Sequence, residues 1–226
     1  MKPAYVIIAL AAMSAAYAAP VSSAQQQDDN EMADSVRSSE DSTIVMESVS
    51  DFFLFSNEFR TIDQTSRMDM LDYYASGMKK QMATRYGGKA IIDSIAGNHY
   101  LKVITSSASE TEVRMYTRKG NEKAFVVVNR VKMPAVDCSW KFYGKDLMKS
   151  AAKTDFITTK DKKQRAEIES KIPFPTRDIH FLDNGDIEIR QTVAQIIARE
   201  DSAAVLPYLK DKIVYHWDGN KFVLQK

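Results

Sequence analysis

Alternating apolar and polar residues dominate the middle of the chain. Between Lys89 and Tyr143 apolar residues recur at every second position, the period at which strand side chains return to one face. Residues 125–128 are apolar on both faces and predict a central strand that is covered on both sides. The pattern therefore predicts five strands, at 90–96, 100–106, 111–118, 123–132 and 136–143.

Two hairpins are predicted near the C-terminal end, and their apolar residues define both registers. The apolar residues of the first hairpin share one face only if Phe181 pairs with Ile187. That register also places His180 opposite Glu188. The second hairpin aligns its apolar residues if Gly219-Asn220 forms a two-residue turn, which suits glycine at the first central position.

Helical spacing of apolar residues appears on either side of the predicted strands. Residues 46–53 predict an N-terminal helix, and the clearest helix is predicted at Arg67–Met82, with Ser66 as its N-cap. Gly87-Gly88 is interpreted as the stop of that helix. A Lys-rich stretch at 160–171 predicts an exposed helix before Pro173.

The order of these elements excludes a regular parallel sheet, because helices do not alternate with strands as crossover connections. The sequence therefore predicts an α+β fold. It consists of antiparallel β-sheets with an N-terminal helical segment and a Lys-rich helix between two β-rich halves. Residues 44–226 form this globular region, either as one unit or as two subdomains at about 44–150 and 151–226.

Residues 1–18 have the three parts of a secretory signal peptide. Lys2 supplies the positive charge, and the apolar run that follows is shorter than the roughly 20 residues that span a bilayer. Ala16 and Ala18 are the small residues that signal peptidase requires. We therefore expect cleavage after Ala18 and export to the periplasm, the cell surface or the medium, with no transmembrane segment in the mature chain.

Charge is distributed unevenly along the expected mature chain. Residues 19–43 contain few apolar residues and predict a disordered acidic tether. Residues 19–60 carry nine acidic and two basic side chains, whereas the rest of the mature chain carries 28 basic and 21 acidic ones. No basic cluster is interleaved with aromatic residues, so a nucleic-acid partner is not predicted.

The chain has three histidines, His99, His180 and His216, and the last two are the candidates for catalysis or metal binding. Their spacing matches no metal motif such as H-E-x-x-H. A cross-strand interaction with Glu188 on the sheet surface accounts for His180 without a functional role. If the two hairpins are neighbours, His180 and His216 approach each other on one sheet face. No catalytic, metal-binding or cofactor-binding residue is assigned from the sequence, and no cofactor is predicted.

Two other groups of reactive side chains have structural explanations. Arg67, Asp69 and Asp72 are able to orient a ligand, but the start of a capped amphipathic helix accounts for all three. Cys138, the only cysteine, lies in a predicted strand and is interpreted as a buried inert thiol.

Several short motifs, together with the N-terminal signal, resemble a family of uncharacterised exported bacterial proteins known as a domain of unknown function. The resemblance spans about residues 44–226 and implies secretion to the periplasm or cell surface. It transfers no activity and no catalytic residues. The motifs are Arg67–Tyr74, Gly87-Gly88-Lys89, Leu206–Leu209 and Trp217-Asp218-Gly219.

The leading functional hypothesis is a non-enzymatic binding or accessory module of the bacterial cell envelope, with an unknown protein or envelope ligand as its partner. One alternative is an envelope hydrolase or metal-dependent enzyme that uses His180 or His216. Another alternative is a structural surface component that associates with itself through an exposed apolar patch or strand edge.

Overall fold

The computed structural model describes residues 45–144 and 154–225. Two antiparallel sheets and their covering helices make up this part of the chain, which confirms the predicted α+β fold. The helices are α1 (Val49–Phe55), α2 (Gln64–Ala75), α3 (Lys162–Lys171) and α4 (Arg199–Val205). The strands are β1 (Met82–Ala83), β2 (Lys89–Ala96), β3 (Tyr100–Ser106), β4 (Ser109–Thr117), β5 (Lys123–Val131), β6 (Asp137–Tyr143), β7 (Arg177–Phe181), β8 (Ile187–Gln191), β9 (Lys212–Trp217) and β10 (Phe222–Leu224).

The first six strands form one sheet in chain order, each antiparallel to the next. β2 to β6 match the five predicted strands to within two residues at either end. β5 is covered on both faces, as its continuous apolar run predicts. Val127 packs among the side chains of the helical layer, whereas Val126 and Val128 pack against the second sheet.

α1 and α2 cover one face of the six-stranded sheet. Ser48 caps α1, because its hydroxyl accepts a hydrogen bond from the backbone N–H of Asp51. Phe52 and Phe53 are buried against the sheet, and the Phe52 ring lies 4.7 Å from that of Phe125. Burial of each such side chain stabilises the fold by roughly 1.5–3 kcal/mol.

The predicted start of the second helix is wrong by three residues. α2 begins at Gln64 because Asp63, and not Ser66, is its N-cap. The Asp63 carboxylate accepts hydrogen bonds from the Ser66 backbone N–H at 2.9 Å and from the Ser66 hydroxyl at 2.7 Å. The two polar residues therefore bind each other, and the carboxylate takes the capping position.

The predicted end of that helix is also wrong. α2 ends at Ala75, and Gly77 adopts a positive φ of 76°, a conformation that glycine favours at the end of a helix. Met82 then pairs with Ala90 across β1 and β2. Gly87-Gly88 therefore lies in the turn between two strands and does not end a helix.

The last four strands form a second sheet in the order β10-β9-β8-β7. Both hairpin registers are confirmed, because Phe181 pairs with Ile187 and Trp217 pairs with Phe222. The first turn has Gly185 at a φ of 92°, and the second has Gly219 at a φ of 87°. Because glycine has no Cβ, both turns form without steric cost and keep their apolar residues on one face.

The inward apolar face of the four-stranded sheet packs on the face of the six-stranded sheet that α1 and α2 leave open. Between the sheets lies a core of buried side chains from both: Val126, Val128, Ile179, Ile187, Ile189 and Tyr215. The predicted Lys-rich helix is confirmed as α3, and its Ile168 packs with Val205 of α4 in a smaller third core.

Candidate functional site

A cleft of about 640 Å³ lies where β6 and β7 meet α3 and residues 154–157. Apolar side chains make up most of its wall, with charged side chains among them. Ligand sites in proteins combine the same features, an apolar wall with a few fixed polar groups, at volumes of about 300–1,000 Å³. The apolar wall includes Trp140, Phe156, Ile157, Ile172, Val193 and Leu209.

Backbone pairing and helix capping hold the walls of the cleft in place. Ile157 forms an isolated antiparallel bridge with Leu209, and the Lys210 backbone N–H donates to the Phe156 carbonyl at 2.8 Å. The N-cap Asp161 accepts a hydrogen bond from the Gln164 backbone N–H and defines the start of α3. The cleft is therefore bounded by hydrogen-bonded segments.

Two arginines of the cleft have different partners. Arg165 donates to the carboxylates of Asp155 at 2.8 Å and Glu169 at 2.9 Å, so its charge is compensated. Within residues 45–144 and 154–225, no carboxylate lies within ion-pair distance of the Arg177 guanidinium. Arg177 donates through Nε to the Cys138 carbonyl and through Nη1 to the Thr154 hydroxyl, each at 3.2 Å.

A second charged group, the Arg130 cluster, is buried between the sheets and does not line the cleft. We define it as Arg130 with Glu110, Glu112 and Asp178. Arg130 binds Glu110 and Glu112 through Nη1, and Asp178 through Nε at 2.8 Å. Its Nη2 also donates to the Ile179 carbonyl at 2.6 Å. One arginine thus joins carboxylates from both sheets.

Further side chains surround the carboxylates of the Arg130 cluster. Lys102 and Lys132 bind Glu110 at 3.1 and 2.7 Å. Burial by itself raises the pKa of the Glu110 carboxyl, but hydrogen bonds from Lys132, Arg130 and Lys102 outweigh it and hold that pKa at about 2. Glu110 is therefore ionised at neutral pH and lacks the raised pKa of a general acid.

Asp178 is held ionised in the same way. Burial raises its pKa, but hydrogen bonds from His180 and Arg130 outweigh burial and lower the pKa well below its ordinary value. His180 Nε2 lies 3.0 Å from Asp178 Oδ2. Because ion pairing satisfies these carboxylates, the arrangement is that of a structural network between the sheets.

The two candidate histidines are not brought together. His180 lies on β7 and His216 on β9, with β8 between them. His216 Nδ1 binds Asp186 Oδ1 at 2.9 Å. Glu188 lies opposite His180 as predicted, but its carboxylate binds Arg190 and Lys212.

Arg67, Asp69 and Asp72 do not form a shared site. Arg67 is buried, and its Nη1 donates to the carbonyls of Phe53 at 2.7 Å and Ser56 at 3.1 Å. It therefore caps the end of α1. Asp69 and Asp72 are exposed on α2. The geometry favours the structural explanation of all three residues, although the N-cap differs from the predicted one.

Cys138 is buried in β6, as predicted for an inert thiol. Burial raises the pKa of this thiol to about 12, so it is protonated at neutral pH. A protonated thiol is a poor nucleophile. The thiol donates to Asp178 Oδ1 at 3.4 Å.

Two further results concern metals and membranes. In residues 45–144 and 154–225, no three His, Cys, Asp or Glu side chains are grouped so that they could hold a metal ion. None of the helices in this part of the chain combines the length and apolar character needed to cross a bilayer.

The charged residues that the fold brings together are not among those that the sequence pattern indicates. Arg130, Glu110 and Glu112 occupy inward-facing positions of β5 and β4, and an ionisable residue on the buried face of a strand is a usable signal. Arg177 and Trp140 carried no such signal, because their proximity depends on the packing of two sheets.

Comparison with known proteins gives a family and a fold. A family model described as "Protein of unknown function (DUF3256)" matches residues 45–222. The structure of a domain of an uncharacterized protein from Porphyromonas gingivalis W83 is similar, with a TM-score of 0.63 and 19% sequence identity. The match covers 78% of this chain and 98% of that domain and shows the fold alone. No curated protein matches.

Proposed function

We propose that this chain, which belongs to the DUF3256 family of proteins of unknown function, is an exported, non-enzymatic binding module of the bacterial cell envelope. Its ligand lies in the cleft beside Trp140. The observation that carries the proposal is a cleft of about 640 Å³ with apolar walls and a fixed arginine, Arg177, that has no carboxylate partner in the described part of the chain.

The enzymatic alternative has less support. A hydrolase or metal-dependent enzyme that uses His180 or His216 requires a nucleophile or further metal ligands beside the histidine. Among the described residues neither histidine lines the cleft, and each binds its own aspartate. Glu110 and Asp178 of the Arg130 cluster, whose pKa values are lowered, do not have the raised pKa of a general acid.

Binding in the cleft is tested with the neutral fluorescent probe N-phenyl-1-naphthylamine. We expect the wild-type chain to bind it at one saturable site. The variant Glu169→Trp places a large side chain on the α3 wall of the cleft, so it is expected to weaken binding by about tenfold or more, equivalent to ~1.4 kcal/mol. Excitation at the naphthyl band avoids interference from tryptophan.

The matched control is Glu167→Trp on the same helix. The Glu167 side chain is exposed, does not line the cleft and pairs only loosely with Lys171 at 3.9 Å. Its substitution should leave the affinity for the probe unchanged within about twofold. Equal weakening by both substitutions, or no saturable binding to the wild-type chain, would remove the cleft as the ligand site.

Export is tested separately. Residues 1–18 combine Lys2, a short apolar run and small residues before Ala19. We expect the protein purified from the periplasmic or extracellular fraction of an expressing bacterium to begin at Ala19, as measured by intact mass and N-terminal sequencing. Full-length protein confined to the cytoplasm would contradict the export part of the proposal.

A further inference from the structure

Arg177 is held in the wall of the cleft by its neighbours. Its backbone N–H donates to Asp137 Oδ1 at 3.2 Å, which fixes the start of β7 beside β6. Its guanidinium donates to the Cys138 carbonyl and the Thr154 hydroxyl. Both acceptors are neutral, so these contacts orient the guanidinium without compensating its charge.

The hydrogen-bonding capacity of Arg177 is only partly used. A guanidinium carries five N–H donors, and the described residues accept from Nε and once from Nη1. The edge formed by Nη1 and Nη2 therefore retains donors in the geometry that binds a carboxylate through two parallel hydrogen bonds. Arg165, the other arginine of the cleft, already binds two carboxylates.

Apolar side chains make up most of the wall around Arg177. Trp140, Phe156, Ile172 and Val193 line the same cleft. The Trp140 ring also packs against Tyr215, with ring centroids 6.0 Å apart, which fixes its position in the wall. A half-buried cation beside such a surface complements a molecule that carries both an anionic group and an apolar body.

From this juxtaposition we infer that the cleft binds a small organic acid: its carboxylate meets Arg177 and its apolar body packs on Trp140 and the neighbouring side chains. The inference rests on the proposed function, because it names the class of ligand for the same cleft. It makes Arg177 the residue that selects anions and the apolar wall the part that supplies affinity independent of the ligand's charge.

Two probes with one apolar body separate these contributions. N-phenyl-1-naphthylamine is neutral, and 8-anilinonaphthalene-1-sulfonate carries the same rings with an anionic group. We expect Arg177→Gln to weaken binding of the anionic probe by about tenfold or more, because a charge-assisted hydrogen-bonded pair is lost. Binding of the neutral probe should change by less than about twofold. Decanoate should displace the anionic probe from the wild-type chain at lower concentration than decan-1-ol.

The control is Arg190→Gln, which removes an exposed arginine of β8 that does not line the cleft. It should leave binding of both probes unchanged. If Arg177→Gln does not fold, Arg177→Lys is used, since lysine keeps the positive charge but lacks the two parallel N–H donors of the guanidinium. It should weaken only the anionic probe, by severalfold.

The outcomes separate the two proposals. Absence of saturable binding of the neutral probe to the wild-type chain would reject the cleft as a binding site. A different outcome is that both probes bind saturably and the ratio of anionic-probe to neutral-probe affinity is the same in the wild-type chain, Arg177→Gln and Arg177→Lys. That outcome would keep the cleft as a binding site but overturn the role of Arg177 and the organic-acid class.

Discussion

Replacing Arg130 by methionine is expected to lower the free energy of unfolding by about 3–5 kcal/mol. The Arg130 side chain is 8% exposed and binds carboxylates of both sheets, from Glu110, Glu112 and Asp178. Methionine fills a similar volume but leaves these buried negative charges without their shared partner, and uncompensated buried charge is costly. The loss is measured by urea denaturation at pH 7, with the midpoint and slope fitted together.

A surface arginine provides the control for this experiment. Arg190 pairs with Glu188 at 2.6 Å, but its side chain is 59% exposed. Because solvent reaches the Arg190 side chain and Glu188 keeps its ion pair with Lys212, Arg190→Met should cost less than about 1 kcal/mol. If Arg130→Met also cost less than about 1 kcal/mol, the interpretation of the Arg130 cluster as a stabilising network would be wrong.

Acidification is expected to remove much of the same stabilisation. The pKa of Glu110 is lowered from its ordinary value of 4.5 to about 2 in the folded chain. A carboxyl whose pKa is lowered on folding stabilises the protein above its unfolded pKa, and this contribution is lost as the pH falls through the folded value. The loss therefore falls between about pH 4.5 and pH 2. It is on the order of 3 kcal/mol for Glu110, and Asp178 acts in the same direction.

The measurement is a series of urea denaturation curves between pH 7 and pH 2. In Glu110→Gln the titrating group is absent, so the free energy of unfolding should fall less steeply with acid than in the wild-type chain. Glu122→Gln is the matched control, because this side chain is 53% exposed although it pairs with Arg118. A Glu110→Gln profile parallel to that of the wild-type chain would contradict the assignment.

The Arg130 cluster also bears on the cleft. Arg130 binds Asp178 and the Ile179 carbonyl, which follow Arg177 on β7. Trp140 comes from the six-stranded sheet and Arg177 from the four-stranded one. The network therefore fixes β7 against the larger sheet where two walls of the cleft meet. The proposed organic-acid site thus depends on a charged group that does not line the cleft.

Local patterns determined most of the secondary structure. The five strands β2–β6 and both hairpin registers followed from the two-residue period of the apolar positions, because a slip of one residue would turn every buried side chain outward. α3 followed from its lysine-rich, exposed composition and from the proline that comes after it. These features depend on neighbours close in sequence.

Both predicted bounds of the second helix were wrong, because contacts with other residues decide them. Serine and aspartate both favour the N-cap position. Asp63 occupies it because its carboxylate accepts hydrogen bonds from both the backbone N–H and the hydroxyl of Ser66. Apolar spacing also continued to Met82, but pairing with Ala90 placed Met82 in a strand. Competition between helix and sheet is decided by contacts with other segments, which spacing does not contain.

The sequence by itself determined the α+β class, the positions of β2–β6 and the registers of the two closing hairpins, since these follow from periodicity over a few residues. Only the tertiary structure decided which charged groups meet. Arg130 reaches Asp178, 48 residues away, and Arg177 reaches Cys138, 39 residues away, because two sheets pack face to face. Such contacts depend on the orientation of whole sheets, and for that reason the candidate site was absent from the residues selected by sequence.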